Sequence, residues 1–199
     1  MARAGLLAAR GDRCCHVRKV TDVSTHYSQS VAHGAFCVLG SGDAHPLDNL
    51  LREVFGRDDI ATIAADWRGI VYFTLAADDE IDANTIVGFD ASSGSSGPLA
   101  TLDEVMAAVG DGDIAEAVDA ASFEAWREAT GTADLAVGEC VPPVMPEFIG
   151  GDPAERAIEP IPLVSHVASC AALMGRIEAL GLQPGDQIPD EVFDSARWG

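Results

Sequence analysis

Lysine is missing from this chain after residue 19. From residue 41 onward seven arginines stand against 30 aspartates and glutamates, a net of −23. The first 40 residues run the other way, with Arg3, Arg10, Arg13, Arg18 and Lys19 against Asp12 and Asp22, and the whole chain carries −20. A body so short of positive charge repels nucleic acid and anionic membrane, because every approach to phosphate adds like charge. It attracts a basic protein partner. The same composition also follows from a biased genome or a salt-rich cytoplasm, and charge far from zero aids solubility with no partner at all.

Other absences exclude chemistry. No run of about 18 apolar residues occurs, so no membrane span is expected. The five cysteines, Cys14, Cys15, Cys37, Cys140 and Cys170, form no C-x-x-C pair. That argues against a zinc or redox motif and for reduced, mostly buried thiols in a cytoplasmic protein. With Lys19 as the only lysine, the body has no phosphate-cradling lysine, and no serine centres a G-x-S-x-G elbow. Gly40-Ser41-Gly42 lacks the third glycine of a dinucleotide loop and reads as a turn. Asp78, Glu80, Asp82 and Asn84 alternate as calcium ligands do, but Ala83 holds the glycine position and Phe89 the position of the closing glutamate. The segment reads as a solvated acidic turn. His166, the one histidine past residue 45, reads as a surface or cap-adjacent residue. No cofactor or metal motif is assembled, and no basic patch interleaves with aromatics.

What remains is a body rich enough in apolar residues, 48% of the chain, to build one core. The apolar stretch Ala4–Ala9 is cut off by Arg10 and is too short for a signal peptide. Residues 1–35 are expected outside the fold as a poorly ordered basic tail, and 36–199 as a single α+β domain. Pro46–Phe55 has helical spacing, with Pro46 in the first turn and Gly56 past the end. Ile60–Ala65, Ile70–Ala76 and Thr85–Asp90 read as an antiparallel meander, turned at Trp67-Arg68-Gly69 and at the acidic segment. Ser92–Gly97 reads as an exposed loop. Thr101 and Glu104 form a capping box for a helix ending at Gly110, and Asp113 with Glu116 opens another that continues, or breaks and restarts at Ser122. Leu135–Val141 is a fourth strand candidate, followed by three prolines that favour an edge or an extended crossing. Ser165 caps a last helix that Gly181 ends, and Val192, Phe193 and Trp198 are expected to tuck the end down. The expected architecture is an antiparallel or mixed sheet packed against three to four helices.

Two stretches carry a family resemblance. One is Asp66–Gly69 (DWRG), followed by a strand, an acidic turn and Phe89–Gly94 (FDASSG) leading into a capped helix. The other is Glu139–Asp152 (ECVPPVMPEFIGGD), followed by an extended segment, a helix and Leu182–Ile188 (LQPGDQI). Together, over roughly residues 48–188, they resemble the C-terminal domain of type VI secretion immunity proteins, which protect bacteria against a DNase toxin. Trp67, Gly69, Cys140, Pro146, Phe148, Gly150, Gly151, Pro184 and Gly185 carry the pattern. The meander followed by a helix is also similar to the wider SUKH immunity superfamily. The resemblance implies a SUKH-like fold and a non-catalytic protein that occludes a secreted toxin, with a basic nuclease as partner. Asp58, Asp59, Asp78, Asp79, Glu80 and Asp82 are the expected contact residues. Two rivals stand beside it: a protein- or ligand-binding scaffold of the same fold, and a hydrolase of unknown class that would gather Asp66, Asp90, Glu147 or His166 in a cleft.

Overall fold

Strands rich in β-branched and aromatic residues, apolar at successive positions, can only be satisfied by a sheet covered on both sides. The computed structural model describes residues 27–76, 82–183 and 185–193. Six strands cross one antiparallel sheet in chain order: β1 (Gln29–Val31), β2 (Phe36–Val38), β3 (Ala61–Asp66), β4 (Ile70–Thr74), β5 (Thr85–Asp90) and β6 (Ser95–Thr101). The helices are α1 (Ser41–Phe55), α2 (Leu102–Asp111), α3 (Ile114–Ala117), α4 (Ala120–Thr130) and α5 (Leu163–Ala179). A separate pair, β7 (Glu139–Cys140) and β8 (Ile161–Pro162), leads into α5. The fold is α+β. Among the described residues no helix is long and apolar enough to cross a membrane.

Strand alternation divides the core in two. Cys37, Ala65, Val71, Phe73, Val87 and Phe89 point to the side covered by α1 and α5. Phe55 on α1 closes over that side, with its ring centroid 5.5 Å from Phe73 and 5.1 Å from Phe89. Phe36, Ala64, Tyr72 and Ile86 point to the other side, which is covered by Leu102, Ile114, Val118 and Phe123 from α2, α3 and α4. Trp67 stacks into this second cluster 5.4 Å from Phe123, and its indole donates to the Val118 carbonyl.

Several sequence expectations shift. Strand β1 lies inside the stretch expected outside the fold, and it pairs Gln29 with Val38. Residues 1–26 fall outside the described residues. Helix α1 starts at Ser41, so Pro46 is its sixth residue rather than in its first turn. The Ser92–Gly97 loop is instead a turn at Ala91–Gly94 followed by β6, which pairs along the whole of β5. An edge strand needs backbone partners on one side only, so a serine- and glycine-rich run with Pro98 can supply it. Helix α2 keeps its capping box but ends at Asp111, before the left-handed Gly112. Among the described residues five helices form, because left-handed Asp119 breaks the chain between α3 and α4 and the helix restarts at Ala120. Of Leu135–Val141 only Glu139–Cys140 is strand, since Leu135 is drawn into the second cluster and donates to the His33 carbonyl. Helix α5 begins at Leu163, so Ser165 lies within it and caps nothing. Val192 is buried and its carbonyl accepts from Arg176, whereas Phe193 is exposed and Trp198 lies outside the described residues.

Candidate functional site

The DWRG segment is the turn between β3 and β4, and it is built around one carboxylate. Asp66 is buried and accepts from the Arg68 side chain and from Tyr72 Oη at 3.0 Å. It also accepts from the backbone amides of Arg68 and Ile70, at 3.0 and 3.2 Å. Burial pushes this carboxyl up, while the Arg68 charge and these donors pull against it. Burial acts to lower Arg68, yet the charge of Asp66 holds the guanidinium above its ordinary value. Tyr72 is pushed up, first by burial and then by Asp66. The network ties off the turn and leaves Asp66 no free lone pair for chemistry.

The two stretches of resemblance meet around this turn. Val141 donates to the Trp67 carbonyl at 2.6 Å, and the Arg156 guanidinium lies 5.1 Å over the Trp67 ring. Gly69 has φ +94°, and a Cβ there would sit 2.7 Å from the His166 ring and 3.4 Å from Cys140 Sγ. Only glycine lets α5 approach so closely. Cys140 is fully buried, and burial foremost pushes its thiol up to about 12. Further along, Pro146 accepts from Ile149 and Gly151, Phe148 donates to the Ser92 carbonyl, and Ser92 Oγ donates to Glu147. Gly150 is left-handed at φ +94°, and a Cβ on Gly151 would fall 1.8 Å from the Met145 carbonyl oxygen. Gly185 is exposed at φ +96°, and Pro184 lies outside the described residues. Trp67, Gly69, Cys140, Pro146, Phe148, Gly150 and Gly151 are therefore structure-setting residues: they lock the Gly-Gly segment onto the turns after β3 and β5.

Of the three carboxylates and the histidine of the hydrolase reading, Asp66, Asp90 and Glu147 all act electrostatically on Arg156, and Asp90 acts on His166. His166 is buried rather than at the surface; its Nδ1 lies 3.8 Å from Cys170 Sγ and its Nε2 has no partner. Burial foremost lowers its pKa, with Arg156 acting the same way and Asp90 opposing, so the ring is neutral near pH 7. Glu147 holds Ser92, and Asp90 accepts from the Ser92 amide. Asp90 lines an open cleft. Among the described residues no group of three or more His, Cys, Asp or Glu side chains could hold a metal ion.

The expected contact acids divide. Asp58 is exposed. Asp59 accepts from Arg57 Nε and Nη2 at 2.9 and 2.8 Å and from the Ala76 amide, and these bonds, the Arg57 side chain first, hold it at about 2. It pins the β4 end to the α1–β3 loop and is not free for a partner. Asp82 is exposed and closes a local turn by accepting from the Asn84 amide. Asp78, Asp79 and Glu80 lie outside the described residues.

Charge arrangement is the feature that the motifs did not reveal. The described residues hold six arginines and 26 acids. Every one of those arginines is turned to the protein itself. Arg57, Arg68 and Arg127 pair with carboxylates, while Arg52, Arg156 and Arg176 donate to the carbonyls of Ile60, Val141 and Val192. Between Arg68 and Arg127 the chain has no Lys, Arg or His at all, against 12 acids. That interval folds into β4, β5, β6, α2 and α3, where Asp103, Glu104, Asp111, Asp113, Glu116 and Asp119 are all exposed. A count of basic residues by interval would have exposed this block in the sequence; the inward turn of the arginines would not.

Between β4–β6 and α2–α3 the same block leaves a cleft of about 440 Å³. Phe36, Ile70, Tyr72, Val105, Ile114 and Val118 line it, with Leu99 on its lip. A second, more polar cleft of about 630 Å³ lies beyond Arg68, between Trp67 and Trp126. No family model matches this chain, and no curated protein matches it.

Proposed function

We propose that this protein is a non-catalytic acidic binding protein of the immunity type, which acts in the cytoplasm by covering the basic substrate-binding face of a nuclease toxin. The observation that carries the reading is the sorting of charge. All six described arginines are spent on internal contacts, while Asp82 and the acids of α2 and α3 face solvent with no cation of their own. Nucleases bind phosphate and so present positive faces. A partner with the opposite field is steered to such a face, and its association slows as salt rises. The residues that carry the resemblance to immunity proteins serve this function indirectly, by fixing the scaffold on which the acids stand. Asp66 and Glu147 are engaged in holding turns together, which supports binding over catalysis.

The test is co-expression with the product of the adjacent gene, which this reading expects to be a nuclease, followed by measurement with the purified pair. Growth should be rescued, nuclease activity should fall at one-to-one stoichiometry, and the association rate should drop about tenfold or more between low and high salt. A purified protein that neither binds nor inhibits the nuclease at low ionic strength overturns the proposal.

A further inference from the structure

The apolar cleft between β4–β6 and α2–α3 has an unusual setting, a greasy floor inside the most acidic part of the molecule. Its floor is Ile70 and Tyr72, with Gly88 opposite Tyr72 across the β4–β5 pair. Gly88 has no side chain to fill the floor, and Leu99 leans over it instead; a Cβ on Gly88 would sit 2.5 Å from Leu99 Cδ1. Leu99 remains 62% exposed, with Ser96 exposed nearby, so the mouth is open to solvent. The wall helices carry Asp103, Asp111, Asp113 and Glu116 on their exposed sides, and Asp90 stands in the wall itself. The sole cation in the wall, Arg68, is already bound to Asp66.

We propose that this cleft receives one or two large apolar side chains from a basic segment of the partner protein. This inference rests on the acidic-partner reading above and names its docking point. The volume suits aromatic or long aliphatic anchors, and burying such anchors in a desolvated pocket is what concentrates binding energy at protein interfaces. The surrounding acids decide the chemistry of the flanks. An apolar anion would meet Asp90 and the α2–α3 carboxylates with no free cation to receive its head group, whereas an anchor flanked by arginine or lysine finds opposite charge on both sides. Steering comes from the acids and residence time from the anchor.

The probe is a 12-residue peptide of alternating arginine and alanine with one central phenylalanine, compared with the same peptide carrying serine at the centre. Both are titrated at low salt into the full chain, with binding followed by calorimetry and by amide chemical shifts. The phenylalanine peptide should bind at least about tenfold tighter and shift Tyr72, Leu99 and Val118. Ser96→Trp, which plugs the mouth from an exposed position, and Leu99→Ser, which removes the lip, should each bring the two peptides to equal affinity while lowering the melting temperature by no more than about 4 °C. Equal binding of both peptides to the unaltered protein overturns the cleft while leaving the acidic-partner reading standing. Failure of both peptides to bind removes both. Tighter binding of dodecanoate at the same resonances overturns the proposal in favour of a small apolar acid. Self-association that Ser96→Trp abolishes overturns it in favour of a second copy of this chain.

Discussion

The two faces of the sheet are made from the same strands and meet different fates. On the α1–α5 face, Val71, Phe73, Val87 and Phe89 are all buried, and Phe55 and Phe148 seal the margins. On the α2–α4 face, Phe36, Tyr72 and Ile86 are equally buried, but the layer above them is thinner: short helices, a glycine at position 88 and a mouth left open beside Leu99. The strands do not cause the difference, because alternation presents apolar residues on both sides. The covering helices do. Helix α5 runs 17 residues across its face, whereas α3 is a single turn of four residues broken off at Asp119. A long amphipathic helix shields what it crosses; a broken one leaves a gap, and here the gap lies among uncompensated acids.

One pair of substitutions tests that contrast, and three more test the turns beside it, each set running from the larger effect to the smaller. Phe73→Ala on the closed face should cost about 3–5 kcal/mol by urea denaturation, because the cavity cannot collapse in a filled layer. Leu99→Ala on the open face should cost under about 1 kcal/mol, since most of that side chain is already in water. Equal losses would mean that the cleft closes in solution. Asp66→Asn should cost about 3 kcal/mol, because it leaves the Arg68 guanidinium partly buried without its counter-charge, and the loss should appear as a lower midpoint with unchanged denaturant slope. Gly69→Ala should cost about 1–2 kcal/mol for its left-handed backbone, with a further loss from the contact with His166. His166→Ala in the same chain should recover that further part only. Asp59→Asn should cost under about 1 kcal/mol near neutral pH, since the pair with Arg57 is partly exposed.

The Asp59 case has a definite sign with pH. Its folded carboxyl is held at about 2, below the ordinary value near 4. The pair therefore stabilises the fold fully above about pH 4, and its contribution is lost as pH falls towards 2. Wild type and Asp59→Asn should differ at pH 7 and converge in acid. His166 acts at higher pH. Its folded pKa is lowered, so the unfolded chain takes up a proton first, and stability should fall as pH drops below about 6.5.

Much of the fold was legible because its signals are local. The β4 and β5 strands, the turn at Trp67–Gly69 and the Thr101–Glu104 capping box depend on residues within a few positions of each other. β6 was not legible, because an edge strand of serine, glycine and proline has no side-chain pattern to read and is defined only by its partner. His166 was misplaced for a related reason. Nothing local distinguishes a first-turn histidine at the surface from one pressed against a glycine 97 positions away. Of the expected contact acids, Asp58 and Asp82 remain at the surface, and Asp59 is taken up by Arg57.

The sequence by itself determined the sign and extent of the charge, the meander, the Thr101 cap of α2 and the Gly56 end of α1, because composition and short-range sterics need no tertiary context. Only the tertiary structure decided that the six described arginines turn inward, that Gly69 and Gly151 stand where backbone and ring leave no room for a Cβ, and that the basic-free interval between Arg68 and Arg127 borders an apolar cleft. Those outcomes depend on which distant residues are brought within bonding range, and burial there decides whether a charge is spent inside the protein or left for a partner.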